Sequence, residues 1–125
     1  MNLLLDAHAL LWWLADDPAL GRAARGLISD PANEVFVSAA TVWEISIKRA
    51  LGKLDAPDDL VDTLATEGFM EAPILASDGE RAGRLDPHHR DPFDRMLVAQ
   101  ALRLDAAIVT RDPAFAAYGT RTVPA

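Results

Sequence analysis

The sequence predicts an α/β protein, a three-layer sandwich with a mainly parallel central sheet. Two observations carry that expectation. Short apolar runs at Asn2-Leu3-Leu4-Leu5, Val35-Phe36-Val37 and Ala106 to Thr110 lack the alternation of a half-exposed strand and fit strands covered on both faces. Between them stand segments with helical spacing, in the order β-α-α-β-α-α-…-α-β-α-β. A third observation concerns chemistry. Asp6 and Asp112 directly follow apolar strands, at the carboxyl edge where open α/β sheets place their ligand crevice.

Taken in order, Asp6 ends the first strand and caps a helix from Ala7 to Leu14. Asp16-Asp17-Pro18 is turn chemistry. Ala19 to Ser29 is expected as a second helix, with Leu20, Ala23, Ala24, Leu27 and Ile28 inward and the Gly21 to Gly26 stretch inside it. Asp30-Pro31-Ala32-Asn33 stops it. After the second strand, Ser38 caps a helix from Ala39 to Leu51. There Trp43, Ile47 and Ala50 form one apolar stripe and Val42 with Ile45 a second. Glu44 lies between them, so a half-buried carboxylate needing a partner is expected, beyond a plain Glu44–Lys48 surface pair.

Asp58 to Glu67 is an acidic helix with Leu60, Val61 and Leu64 inward; Phe69 to Leu75 is irregular or a short strand; Ser77 opens a short helix ending near Leu85. In the segment from Asp86 to Arg95, Asp91 is the cap, Pro92 the first helical residue and Asp94 the third. This helix runs to about Leu104, burying Phe93, Leu97, Ala101 and Leu104. Arg111-Asp112-Pro113 again puts a cap before proline, ahead of a helical turn from Ala114 to Tyr118 and an edge strand at Arg121-Thr122-Val123.

A chain of 125 residues, half hydrophobic and a quarter charged, forms one domain, residues 1–125. Without cysteine it has no disulfide and no thiolate metal site. The N-terminus lacks a basic region, and Asp6 interrupts its apolar stretch, so neither a signal peptide nor a membrane span is expected and a cytoplasmic location is. The net charge of −7 argues against a nucleic-acid partner until its distribution is considered. Asp55 to Glu80 holds eight acids and no Lys or Arg, so the rest of the chain carries +1. Lys48, Arg49 and Lys53 follow Glu44, and Arg90, Arg95 and Arg111 flank Asp91, Asp94 and Asp112. Each of these basic residues also fits a solvated helix face.

Asp6, Asp91 and Asp112 each make sense as helix caps alone, and Asp94 as a charge near a helix dipole. Together, Asp6, Glu44, Asp94 and Asp112 would crowd one crevice, because Glu44, one turn into its helix, and Asp94, in the first turn of its own, belong to helices that start at the same edge. Like charges so placed repel and raise one another's pKa. A hard divalent cation completes such a set: Mg²⁺ or Mn²⁺ fits, whereas zinc prefers His or Cys.

At Leu3-Leu4-Leu5-Asp6, Val42-Trp43-Glu44-Ile45, Arg90-Asp91-Pro92-Phe93-Asp94-Arg95 and Val109-Thr110-Arg111-Asp112 the chain resembles the PIN-domain ribonucleases, and more closely the VapC-type toxins of toxin–antitoxin pairs. The resemblance runs in order along nearly the whole chain. It implies a PIN-like sandwich and metal-dependent hydrolysis of RNA leaving 5′-phosphate and 3′-hydroxyl ends. It also implies an acid quartet of Asp6, Glu44, Asp94 and Asp112 holding the metal, Thr110 as a supporting hydroxyl and Asp91 as an extra contributor. Implied partners are an RNA substrate, a homodimer mate and a cognate antitoxin that places a basic side chain into the acidic site. Lys48, Arg90, Arg95 and Arg111 are the candidate contacts to the RNA backbone. One position departs: the family usually has Thr or Ser after the first Asp, and Ala7 stands here, which implies a looser hold on the metal or its water.

Other readings fit less well. A response-regulator receiver needs a late Lys, but the only lysines are Lys48 and Lys53; a haloacid-dehalogenase phosphatase needs Asp where His8 stands. A histidine ribonuclease built from His8, His88 and His89 meets the objection that His88-His89 lies in a polar loop. A catalytically weak module that sequesters a partner remains, since adjacent Trp12 and Trp13 cannot share one core pocket.

Overall fold

The computed structural model describes all residues, 1–125. It is a five-stranded, wholly parallel sheet in the order β3-β2-β1-β4-β5, with β1 Asn2–Leu5, β2 Glu34–Ser38, β3 Met70–Ala72, β4 Ala106–Thr110 and β5 Thr122–Pro124. The chain starts in the middle, winds outward through β2 and β3, then returns to the far side of β1 for β4 and β5. The winding therefore reverses between β1 and β4, and the crevice of such a sheet opens above that point. Leu5 is in register with Val37 on one side and Val109 on the other, so the residues after β1 and β4 emerge side by side.

Period-two alternation divides the strand side chains between two core layers. Leu3, Leu5, Val35, Val37, Ala107 and Val109 face α1 (Ala7–Leu14), α2 (Arg22–Ser29), Ile45 of α3 (Ala39–Ala50) and Leu60 and Leu64 of α4 (Leu60–Thr66). Leu4, Phe36, Ala106 and Ile108 face Leu97, Val98 and Ala101 of α6 (Pro92–Leu104). Helix α5 (Ala76–Arg84) packs outside α6. The expected three-layer sandwich is present, and all the apolar strand runs are buried.

The differences lie in the helices. The second begins at Arg22 and not at Ala19, because the Asp17 side chain accepts from the Ala19 N–H (2.9 Å) and the carbonyl of Asp17 accepts from Leu20. That local turn competes with helix, and Gly21 becomes the cap. The acidic helix likewise starts at Leu60, since Asp58 pairs with Arg49. Val61 is exposed, one residue off the Leu60–Leu64 stripe, with no further layer to cover it. In α3 the expected stripes are partly inverted. Thr41, Glu44 and Ile45 are buried, while Trp43 is 61 % exposed and Ile47 and Ala50 also face out. The helix turns its carboxylate toward the crevice, and the Trp43 ring instead stands edge-on to Phe93 at 5.2 Å. Phe93 and Leu104, expected in the core, are only half-buried.

One ion pair on a buried carboxylate ties α5 to α6. Asp78 is 2 % exposed and accepts two hydrogen bonds from Arg103, at 2.8 and 3.0 Å, and one from the Leu75 N–H. Burial works against this carboxylate, but Arg103 and the Leu75 N–H together hold its pKa below the usual value. Removing the cation strands a buried charge. Arg103→Ala is expected to cost about 3 kcal/mol in urea unfolding at pH 7, a penalty that fades as pH falls far enough to protonate Asp78.

Candidate active site

Asp6 closes β1 and caps α1. Its backbone N–H bonds to Val109 O (3.2 Å), and its carboxylate accepts from the Ala9 N–H at 2.8 Å and bonds the Thr110 hydroxyl. Only 7 % of the residue is exposed, and burial raises its pKa despite those hydrogen bonds. Thr110 Oγ1 also accepts from the Asp112 N–H at 3.0 Å, so one hydroxyl links the ends of β1 and β4. Asp112 in turn accepts from the Ala114 N–H and caps a 3₁₀ turn, Pro113–Tyr118.

Glu44 reaches the same place from the second turn of α3. It is 8 % exposed and is bound by Lys48 Nζ at 2.9 Å. That bond is the main reason the Lys48 pKa lies above its usual value. Asp94 arrives in the first turn of α6, where Asp91 caps the helix by accepting from the Phe93 and Asp94 N–H groups at 2.8 and 3.3 Å. Burial, then the neighbouring charge of Asp91, and more weakly Glu44 and Asp6, push the Asp94 pKa up to about 7, with His89 acting the other way.

These residues line one open crevice of about 500 Å³. Asp6, Glu44, Asp91, Asp94 and Asp112 all face it, as do Lys48 and Arg111. The sequence-based quartet therefore meets in one cleft, over the point where the sheet's winding reverses. Ala7 is also in the wall, so the missing hydroxyl is missing from the cleft itself. Arg111 packs 4.3 Å over Trp12 and donates to the backbone oxygens of Ala19 and Ala125. Trp13 turns elsewhere, donating to Glu67 (3.2 Å) and stacking near Phe69, so the two tryptophans serve different contacts. Arg90 is exposed.

Arg95 departs from expectation. Its guanidinium donates to the backbone carbonyls of Ala82, Leu85, Asp86 and His89, at 2.8 to 3.3 Å. Four of its five N–H groups are thus spent, three on pinning the 85–89 loop to α6 and one on Ala82 of α5, and it does not line the cleft. His89 is the residue that sequence reasoning set aside. Its Nε2 lies 2.8 Å from Asp112 Oδ2 and 3.4 Å from Asp94 Oδ2. Its backbone N–H donates to Tyr118 Oη at 2.7 Å, and its ring packs on Phe115. No spacing rule joins His89 to Asp112; only its place directly before the Arg90–Arg95 segment hinted at a role.

As a donor set for a cation, the cleft fits. Five carboxylates line it, burial and the neighbouring acids drive Asp94 toward neutrality, and donor atoms of Asp94 and Asp112, in its wall, lie within 4.8 Å of the imidazole of His89, which stands beside it. Oxygen donors of this kind suit hard divalent ions.

Residues 3–120 match the PIN domain family. The chain belongs to that family. It is also similar to Ribonuclease VapC22 of Mycobacterium tuberculosis, with 29 % identity over 118 residues, covering 89 % of this chain and 87 % of the relative. Among solved structures, the VapBC2 complex of Rickettsia felis bound to a promoter DNA fragment has a similar fold, with a TM-score of 0.71 at 14 % identity and 98 % coverage of both chains. VapBC-1 of nontypeable Haemophilus influenzae does too, with a TM-score of 0.70 at 18 % identity, covering 98 % of this chain and 97 % of that one. For this PIN domain the three-layer sandwich is thus seen again in proteins of little sequence likeness. No helix is long and apolar enough to cross a membrane.

Proposed function

We propose that this PIN domain is a metal-dependent endoribonuclease, the toxin of a toxin–antitoxin pair, cleaving RNA phosphodiesters in the carboxylate cleft with Mg²⁺ or Mn²⁺. The observation that carries the reading is the convergence of Asp6, Glu44, Asp94 and Asp112 on one cleft open to solvent, where burial and neighbouring acids push the Asp94 carboxyl up to about 7. A structural cap gains nothing from such repulsion, whereas a cation site needs it. Likeness to a protein named a ribonuclease supports the same chemistry.

Asp6, Glu44, Asp94 and Asp112 would hold the cation, which when bound polarises the scissile phosphate and activates water. Thr110 fixes the Asp6 carboxylate and the start of the Asp112 turn, keeping the two strand ends at a set distance. Asp91, spent on the α6 cap, positions Asp94. Lys48 and Arg111, in the cleft wall, and Arg90, outside it, are placed to meet phosphates, which positions a strand without reading its bases. With Arg95 committed to backbone carbonyls, it is left out of that set. A cognate antitoxin and a homodimer mate complete the proposal. The acids of the cleft would attract a basic side chain of the antitoxin, and exposed Trp43 and Ile47 offer an apolar contact for a partner.

The test is cleavage of single-stranded RNA by the purified protein. Cutting is expected with Mg²⁺ or Mn²⁺, none with EDTA, and fragments should carry 5′-phosphate and 3′-hydroxyl ends. Cleavage that survives EDTA, or 2′,3′-cyclic ends, would rule out the metal mechanism.

A further inference from the structure

We infer that His89 is itself a ligand of the cation, completing with Asp94 and Asp112 a mixed imidazole–carboxylate set that prefers Mn²⁺ to Mg²⁺. This rests on the reading of the cleft as a divalent-cation site and goes beyond it in naming a nitrogen donor and the ion it favours.

Three observations support it. The first is spacing. His89 Nε2 stands 2.8 Å from one Asp112 oxygen and 3.4 Å from one Asp94 oxygen, and the three donors lie within 4.8 Å of one another. Two ligands bound to one ion at right angles, each about 2.1 Å away, are separated by about 3 Å. His89 already stands at nearly that separation from each of the two carboxylates.

The second is placement. The His89 side chain is 15 % exposed, and the residue is held from three sides: its N–H by Tyr118 Oη, its carbonyl by Arg95 Nη1 at 3.0 Å, and its ring by Phe115. Tyr118 Oη donates in turn to the carbonyl of Asp86, closing the loop around the histidine. The interior commitment of Arg95 acquires a purpose here, because it fixes the segment that presents the imidazole. Neighbouring His88 instead sets its ring edge-on to Tyr118 and is exposed.

The third is charge. Lys48 already pairs with Glu44. Asp6, Asp94 and Asp112 already bring negative charge to a divalent ion in this cleft, and a neutral imidazole beside Asp94 and Asp112 adds a donor without adding repulsion. Imidazole nitrogen suits transition-metal ions, while Mg²⁺ keeps to oxygen and water.

The deciding measurement is pulsed EPR on the Mn²⁺-loaded protein, with calorimetric titration of Mn²⁺ and Mg²⁺. Wild type should show ¹⁴N modulation from a directly bound imidazole. His8 is the imidazole that lines the cleft, so the signal should persist in His8→Ala and vanish in His89→Ala. Mn²⁺ affinity should fall roughly tenfold or more in His89→Ala, the scale on which single groups around a metal tune affinity, while Mg²⁺ affinity stays within about threefold. The wild-type and His8→Ala spectra alone decide the matter if His89→Ala does not fold. Mn²⁺ bound without ¹⁴N modulation, with His89→Ala binding equally or more tightly, would mean that the imidazole only fills the cation's place; the inference then falls and the metal site stands. If wild type binds neither ion, the cation reading itself fails.

Discussion

Asp94→Asn is expected to abolish RNA cleavage and, in the metal-free protein, to raise stability. Both effects come from the same placement. Asp94 sits among Asp91, Glu44 and Asp6 in a partly desolvated cleft, and its carboxyl is pushed up to about 7. The amide keeps the shape, leaves the Asp91 cap bonds to the Phe93 and Asp94 N–H groups in place, and removes the repelled charge. Without the carboxylate the cation loses a ligand, and a loss of about 10²–10³-fold or more in single-turnover cleavage follows, the scale for deleting one group that stabilises transition-state charge. Relief of the repulsion should add at least about 1 kcal/mol at pH 8, a rise of roughly 4 °C in melting temperature without metal. A variant that is both inactive and more stable marks a residue kept for chemistry. An Asp94→Asn protein that cuts RNA at the wild-type rate would remove Asp94 from the catalytic set, and a lower melting temperature would refute the repulsion.

The second large effect is a link between pH, metal and stability. Asp94 and Asp6 both have carboxyl pKa values raised by burial. Between about pH 4, the value for an unfolded Asp, and about pH 7, the native protein holds more protons than the unfolded chain. The unfolding free energy must then fall as pH rises through that window. Metal-free protein is therefore expected to melt at progressively lower temperature from pH 5 to pH 8, opposite to the trend of a typical salt-bridged carboxylate such as Asp78. A divalent ion removes the penalty by supplying the missing positive charge. At 100-fold over its dissociation constant it adds about 2.7 kcal/mol, or roughly 10 °C, at pH 8. At pH 5, where protons compete for the same oxygens, the gain should be much smaller. Melting curves at the two pH values, with and without Mn²⁺, check this; a metal-induced shift that is equal at both would contradict it.

Much of this protein is written locally. The unbroken apolar runs Leu3-Leu4-Leu5 and Ala106 to Val109 can be satisfied only by cover on both faces, so the layers follow from hydrophobicity and period. Asp6, Asp91 and Asp112 cap helical segments because a short carboxylate before a helix or a proline has few better uses, and each does so here. Glu44, flanked by apolar residues on both sides, is half-predicted as a buried acid and is buried.

What local pattern left open, packing settled. Sequence alone determined that acids stand at the ends of strands and the starts of helices; the reversal of winding between β1 and β4 decided that they share one cleft. The rotation of α3 about its axis was fixed by its neighbours, which is why Trp43 faces out while Glu44 faces in. Arg95 and Arg111 are both arginines beside acids in the chain, yet one is consumed by the carbonyls of a loop and the other lies over Trp12 in the cleft wall. His89 is the clearest case: its distance from Asp112 is set by contacts to Tyr118, Phe115 and Arg95 from other parts of the chain. Periodicity and capping act over a few residues, whereas the meeting of His89 with Asp112, 23 residues apart, depends on how separate elements close against one another.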